Sequence, residues 1–80
     1  MKKNLFANTR SIGDKMFVSI NRRVFELDSI GLEVWEKVNG ENTVEKISEE
    51  IAKKHSVEYG IVLKDVSDFV KDMKSYELIV

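Results

Sequence analysis

The chain has 80 residues, no cysteine, no proline and a net charge of −1, with 42% hydrophobic and 34% charged residues. That is enough apolar material for one core, in a single domain spanning residues 1–80, and too balanced a charge for a disordered chain. Without cysteine there is no disulfide scaffold and no cysteine-ligated zinc or redox centre, and a chain of this size rarely walls off a catalytic pocket as well as a core. No stretch approaches the ~18 apolar residues of a membrane span. The basic start, Met1-Lys2-Lys3-Asn4-Leu5-Phe6, runs at once into Asn8-Thr9-Arg10 rather than into the apolar core of a signal peptide. A cytoplasmic protein with no membrane partner is expected.

In chain order, a first strand is expected around Leu5–Arg10, joined through Gly13-Asp14 to the next. Met16–Ile20 and Arg23–Leu27 are rich in β-branched and aromatic residues and flank Asn21-Arg22. Asn tolerates the positive φ of a type I′ turn, so a two-residue hairpin pairs Ile20 with Arg23, Val18 with Phe25 and Met16 with Leu27. One face then gathers Met16, Val18, Ile20, Phe25 and Leu27, and the other Phe17, Ser19, Val24 and Glu26.

After Leu27 the period becomes helical. Asp28 or Ser29 caps a helix carrying Ile30, Val34, Trp35 and Val38, closed by Asn39-Gly40. Thr43 caps a second helix with Val44, Ile47 and Ile51 on one side, Glu45 at its start and Lys53, Lys54 and His55 at its end, where cations suit the dipole. Ser56 caps a third, with Val62, Val66, Phe69 and Met73 in one stripe and Leu63 and Val70 widening it. Leu78-Ile79-Val80 either tucks into the core or adds a short strand. The order is α+β, strands followed by three helices, like a winged helix-turn-helix.

Catalytic signatures are missing. The lone His55 has no second histidine or cysteine to complete a metal site and reads as a capping or solvated residue, and Glu45, Glu49 and Glu50 read as a solvated helix face. Glycines 13, 31, 40 and 60 are isolated and form no phosphate loop, and no serine has a histidine poised to activate it. No cofactor is expected. Residues 1–27 hold six basic and two acidic side chains, a balance of +4, whereas residues 28–80 hold seven basic and twelve acidic, a balance of −5. A small winged-helix DNA-binding protein is the alternative reading, but a DNA-reading helix presents a basic stripe, and neither later helix has one. No nucleic-acid partner is expected. The strand Arg22–Leu27 leads straight into a helix and can lie at a sheet edge. Arg22, Arg23 and Glu26 suit charged side chains that guard such an edge, and the same edge suits an extended peptide added as a strand. Periodicity alone favours protection and leaves docking open.

The run Phe25-Glu26-Leu27-Asp28-Ser29-Ile30-Gly31, then Val34-Trp35, Val38, Gly40, Thr43-Val44 and Ile47, followed by Asp65-Val66, Phe69-Val70 and Leu78-Ile79, resembles the PqqD-like family. These are leader-recognition domains, or RiPP recognition elements, of ribosomal peptide natural-product pathways. The likeness covers roughly residues 14–80 in order. It departs from the family in having Glu77 where a Gly often precedes the terminal Leu, and in lacking the Pro-Glu seen near the hairpin in proteins of pyrroloquinoline quinone synthesis, which argues against that pathway. A free-standing chain of this length is also similar to the leader-binding proteins of lasso-peptide clusters. The resemblance implies a three-stranded antiparallel sheet followed by three helices, with no catalytic residue. It implies that a precursor's leader adds as an antiparallel strand along Arg23, Val24, Phe25, Glu26 and Leu27, against a helix near Val62–Met73. Val62, Val66 and Phe69 would line an apolar pocket there, and Asp65 and Asp72 would flank it. The implied partners are the leader peptide and a tailoring enzyme or leader peptidase of the same pathway.

Overall fold

The computed structural model describes all 80 residues. Three strands, β1 (Asn8–Ile12), β2 (Lys15–Ile20) and β3 (Arg23–Leu27), precede three helices, α1 (Ser29–Lys37), α2 (Val44–His55) and α3 (Tyr59–Ser75). The sheet is antiparallel in the order β1-β2-β3, so β3 is an edge strand. No helix is long and apolar enough to cross a membrane.

The β2–β3 register is the expected one, with Ile20 opposite Arg23, Val18 opposite Phe25 and Met16 opposite Leu27. Asn21 (φ 52°) and Arg22 (φ 66°) both take the left-handed conformation of a type I′ turn. A non-glycine residue there costs roughly 1–2 kcal/mol, so Arg22→Gly is expected to stabilise the chain by about 0.5–1 kcal/mol once glycine's extra chain entropy is offset. Thermal unfolding should show a midpoint several degrees higher.

β1 lies later than expected. Leu5 and Phe6 sit in a turn instead, 95% and 81% exposed. The turn is closed by Asn4, whose Oδ1 accepts the Phe6 N–H (2.9 Å) and whose carbonyl accepts the Ala7 N–H (3.1 Å). Asp28, not Ser29, caps α1, accepting the Gly31 N–H at 2.6 Å. The helix ends at Lys37, and Val38 is already extended, so Asn39-Gly40 follows the cap rather than forming it. Thr43 caps α2 by accepting the Lys46 N–H at 3.1 Å. Ser56 closes α2 in the left-handed conformation (φ 54°) and does not open α3, which starts after Glu58 without a side-chain cap.

The core gathers Val18, Ile20 and Leu27 from the sheet, Val34, Trp35 and Val38, then Ile47 and Ile51, then Val62, Val66, Val70 and Met73, with Leu78 and Ile79. Val70 is buried and Phe69 only half-buried, which reverses their expected roles in α3. The C-terminus both tucks in and pairs: Ile79 bridges Lys3, Lys2 and Val80 exchange two backbone hydrogen bonds (3.0 and 2.8 Å), and Asn4 N–H donates to the Leu78 carbonyl (2.9 Å). Glu77 takes φ 66°, so the turn before Leu78 keeps the left-handed geometry although no glycine stands there.

One polar expectation is extended and one corrected. His55 is exposed at the end of α2 as expected, and its Nε2 also lies 2.9 Å from Glu33 Oε1, tying α2 to α1. That hydrogen bond, helped by Lys54, holds the Glu33 carboxyl below the usual carboxylate range against the opposing effect of burial. Glu50 is half-buried rather than solvated, and its bond to Lys37 Nζ (3.0 Å) lowers its pKa.

Candidate functional site

Strand β3 presents an unpaired edge. A two-residue hairpin loop closes on a hydrogen-bonded pair, here Ile20 and Arg23, and such pairs alternate along an antiparallel ladder. Arg23, Phe25 and Leu27 therefore turn their backbone groups toward β2. Val24 and Glu26 turn theirs outward, and no bond outside the regular elements engages either. Buried main-chain groups need partners, whereas exposed ones are available to a ligand.

Beside the end of this edge, a cavity of about 280 Å³ is lined by Asp28, Ile30, Gly31 and Val34 from the start of α1 and by Asp65, Val66 and Phe69 from α3. Gly31 lets the two helices come together, since a Cβ there would lie 3.1 Å from Phe69 Cε2 and 3.0 Å from Asp28 Oδ1. Ile30 is 38% exposed on the rim, and Val66 forms the buried floor. Two carboxylates stand at the mouth. Asp28 already accepts the Gly31 N–H, which leaves Asp65 the freer acceptor. At the opposite end of β3, Asn21, Arg23, Ser75, Tyr76 and Glu77 enclose a polar hollow of about 300 Å³. Between the two, Phe25 stacks on Tyr76 with ring centroids 4.4 Å apart.

The structure thus brings Asp65, Val66 and Phe69 to one cavity next to β3. Val62 is buried in the core and lies outside the lining, and Asp72 is exposed and lines neither hollow. Leu27 is buried and the Phe25 ring is occupied by Tyr76, so these two contribute position rather than free side-chain surface. The α1 side of the cavity was missed in the sequence. Its one signal was Ile30, an apolar residue immediately after the cap at Asp28 and ahead of a helical glycine.

A family model described as coenzyme PQQ synthesis protein D (PqqD) matches residues 15–79. The chain belongs to the PqqD family. Its fold is similar to that of a solved structure described as TbiB1 in complex with the TbiA(beta) leader peptide, with a TM-score of 0.84, 25% identity, and coverage of 99% of this chain and 94% of that one. No curated protein matches the sequence. The PqqD match includes β2, β3, all three helices and the lining of both hollows, and it leaves out β1 and the Leu5-Phe6 turn.

Proposed function

We propose that the chain is a non-catalytic adaptor, binding the leader of a ribosomally synthesised precursor peptide as an antiparallel fourth strand on β3. It would hold that precursor for a tailoring enzyme or leader peptidase of the same pathway. The observation that carries this reading is the free edge of β3, with Val24 and Glu26 unpaired, opening beside a cavity between α1 and α3. Membership of the PqqD family and likeness to a leader-peptide complex support it.

In strand addition, main-chain bonds supply affinity and side-chain pockets supply selectivity. A leader strand would exchange N–H and C=O bonds with Val24 and Glu26. Every second side chain would turn toward α3, where an apolar anchor fits against Ile30, Val66 and Phe69 and a donor on it can reach Asp65. Holding the leader raises the effective concentration of the precursor's remaining segment at a docked enzyme, so the adaptor promotes reaction without chemistry of its own.

Ile30→Ser tests the cavity's part. Because Ile30 is partly exposed, its loss should cost only about 1 kcal/mol and lower the unfolding midpoint by a few degrees, leaving the protein folded. Removing an apolar wall should weaken leader affinity by roughly tenfold, about 1.4 kcal/mol. Calorimetric titration of both forms with the leader peptide checks this, and equal affinities would place the anchor elsewhere.

A further inference from the structure

The most exposed large apolar side chains of the chain are Leu5 and Phe6, and the turn that carries them is built rather than frayed. Asn4 fixes it through Oδ1 to the Phe6 N–H (2.9 Å), through its carbonyl to the Ala7 N–H (3.1 Å) and through Nδ2 to the Glu77 carbonyl (2.8 Å). Ordering two apolar side chains in water gains nothing for the fold, since neither packs on the core. The turn also has a definite place. Glu77, which holds Asn4 through its carbonyl, accepts a hydrogen bond from Asn21 Nδ2 (3.4 Å) through its carboxylate. The Leu5-Phe6 knob therefore stands at the hairpin-turn end of the sheet, just ahead of β1, the strand that lies two strand spacings, or about 10 Å, from β3.

An antiparallel strand on β3 enters beside Leu27 and leaves beside Arg23. On the proposed reading, on which this inference rests, the segment after the leader emerges at the same end as Leu5 and Phe6. Lys2, Arg22 and Arg23 are exposed around this end and take part in none of the chain's ion pairs, three cations against the one carboxylate of Glu77, which is held by Asn21. We infer that the Leu5-Phe6 turn is the docking knob for the enzyme that acts on the emerging precursor, inserting into an apolar socket rimmed by carboxylates on that enzyme. Apolar contact at the centre supplies the affinity, and the surrounding cations supply orientation and a salt-sensitive on-rate. A second copy of this chain is a poorer occupant, because meeting knobs would bring together two surroundings in which three cations outnumber the single carboxylate of Glu77.

The test uses the full chain, the leader peptide, and the purified tailoring enzyme or leader peptidase encoded beside the precursor. In the Leu5→Ser/Phe6→Ser variant, leader affinity should stay within twofold of the parent. Affinity for the enzyme, measured with leader bound, should fall at least tenfold. Unchanged enzyme affinity would overturn the inference and leave the leader-binding reading intact. Parallel loss of leader affinity would overturn it by assigning the turn to the leader site. A parent dimer in sedimentation that the variant abolishes would give the knob to a second copy instead. If the parent itself fails to bind leader, the adaptor reading falls as well.

Discussion

Val24→Pro should lose most of its affinity for the leader peptide while remaining folded. The Val24 N–H points away from β2, so the sheet loses no ladder bond, and proline is tolerated on an edge strand whose N–H faces outward. In the complex, that N–H is one of the few donors that a leader strand can use. Its removal forfeits a hydrogen bond, leaves a leader carbonyl unsatisfied and sets a ring in the path of the incoming backbone. Together these should cost about 2–3 kcal/mol, a weakening of roughly 30- to 150-fold. Phe25→Pro is the control. It removes a donor that pairs with Val18 in the interior of the hairpin, so it should lower stability first and affinity only as a consequence. Titration by fluorescence anisotropy, with circular dichroism of each variant, separates the two. Normal affinity in a folded Val24→Pro protein would exclude strand addition on β3.

Leu78→Ala should destabilise the chain by about 3.5 kcal/mol, the middle of the roughly 2–5 kcal/mol range for a fully buried leucine. Leu78 is 0% exposed. Its N–H bonds the Met73 carbonyl and its own carbonyl accepts the Asn4 N–H, both at 2.9 Å. The side chain is thus the point where the end of α3, the C-terminus and the N-terminal segment meet. For a domain of this size, the loss is a large fraction of the total stability and should lower the thermal midpoint by more than 10 °C. Denaturant unfolding gives the free-energy difference directly. A change below 1 kcal/mol would show that the C-terminal segment is not part of the cooperative core.

The parts that were legible in the sequence are those where local chemistry leaves a single solution. Asn21-Arg22 between two alternating runs fixed a two-residue turn, and with it the register, whereas the place of β3 at the edge was one possibility until the sheet order decided it. Thr43, with helical spacing behind it, fixed the start of α2. Misreadings arose where an apolar residue serves neither strand nor core: Leu5-Phe6 looks like the head of a strand until Asn4 is seen folding it back. Ser56 has the chemistry of an N-cap but takes the left-handed C-cap, because the connection to α3 is too short to hold both roles. Phe69 and Val70 are adjacent on α3, and only tertiary packing decides that Val70 goes inward while Phe69 turns to the cavity. The same limit applied to the site. The β3 side was implied by the family resemblance rather than by pairing, and the α1 wall depends on Gly31 admitting the Phe69 ring, a contact 38 positions apart that periodicity does not encode.

The central claim is that a leader strand occupies the β3 edge and the cavity between α1 and α3. Amide chemical-shift mapping during titration of the 80-residue chain with the leader peptide tests it most directly. Saturable binding tighter than about millimolar, with the largest shifts at Val24, Glu26, Ile30, Gly31 and Phe69, is the predicted result. Shifts confined to the open sheet face around Ile12 and Phe17 or to α2, or no saturation at all, would contradict it.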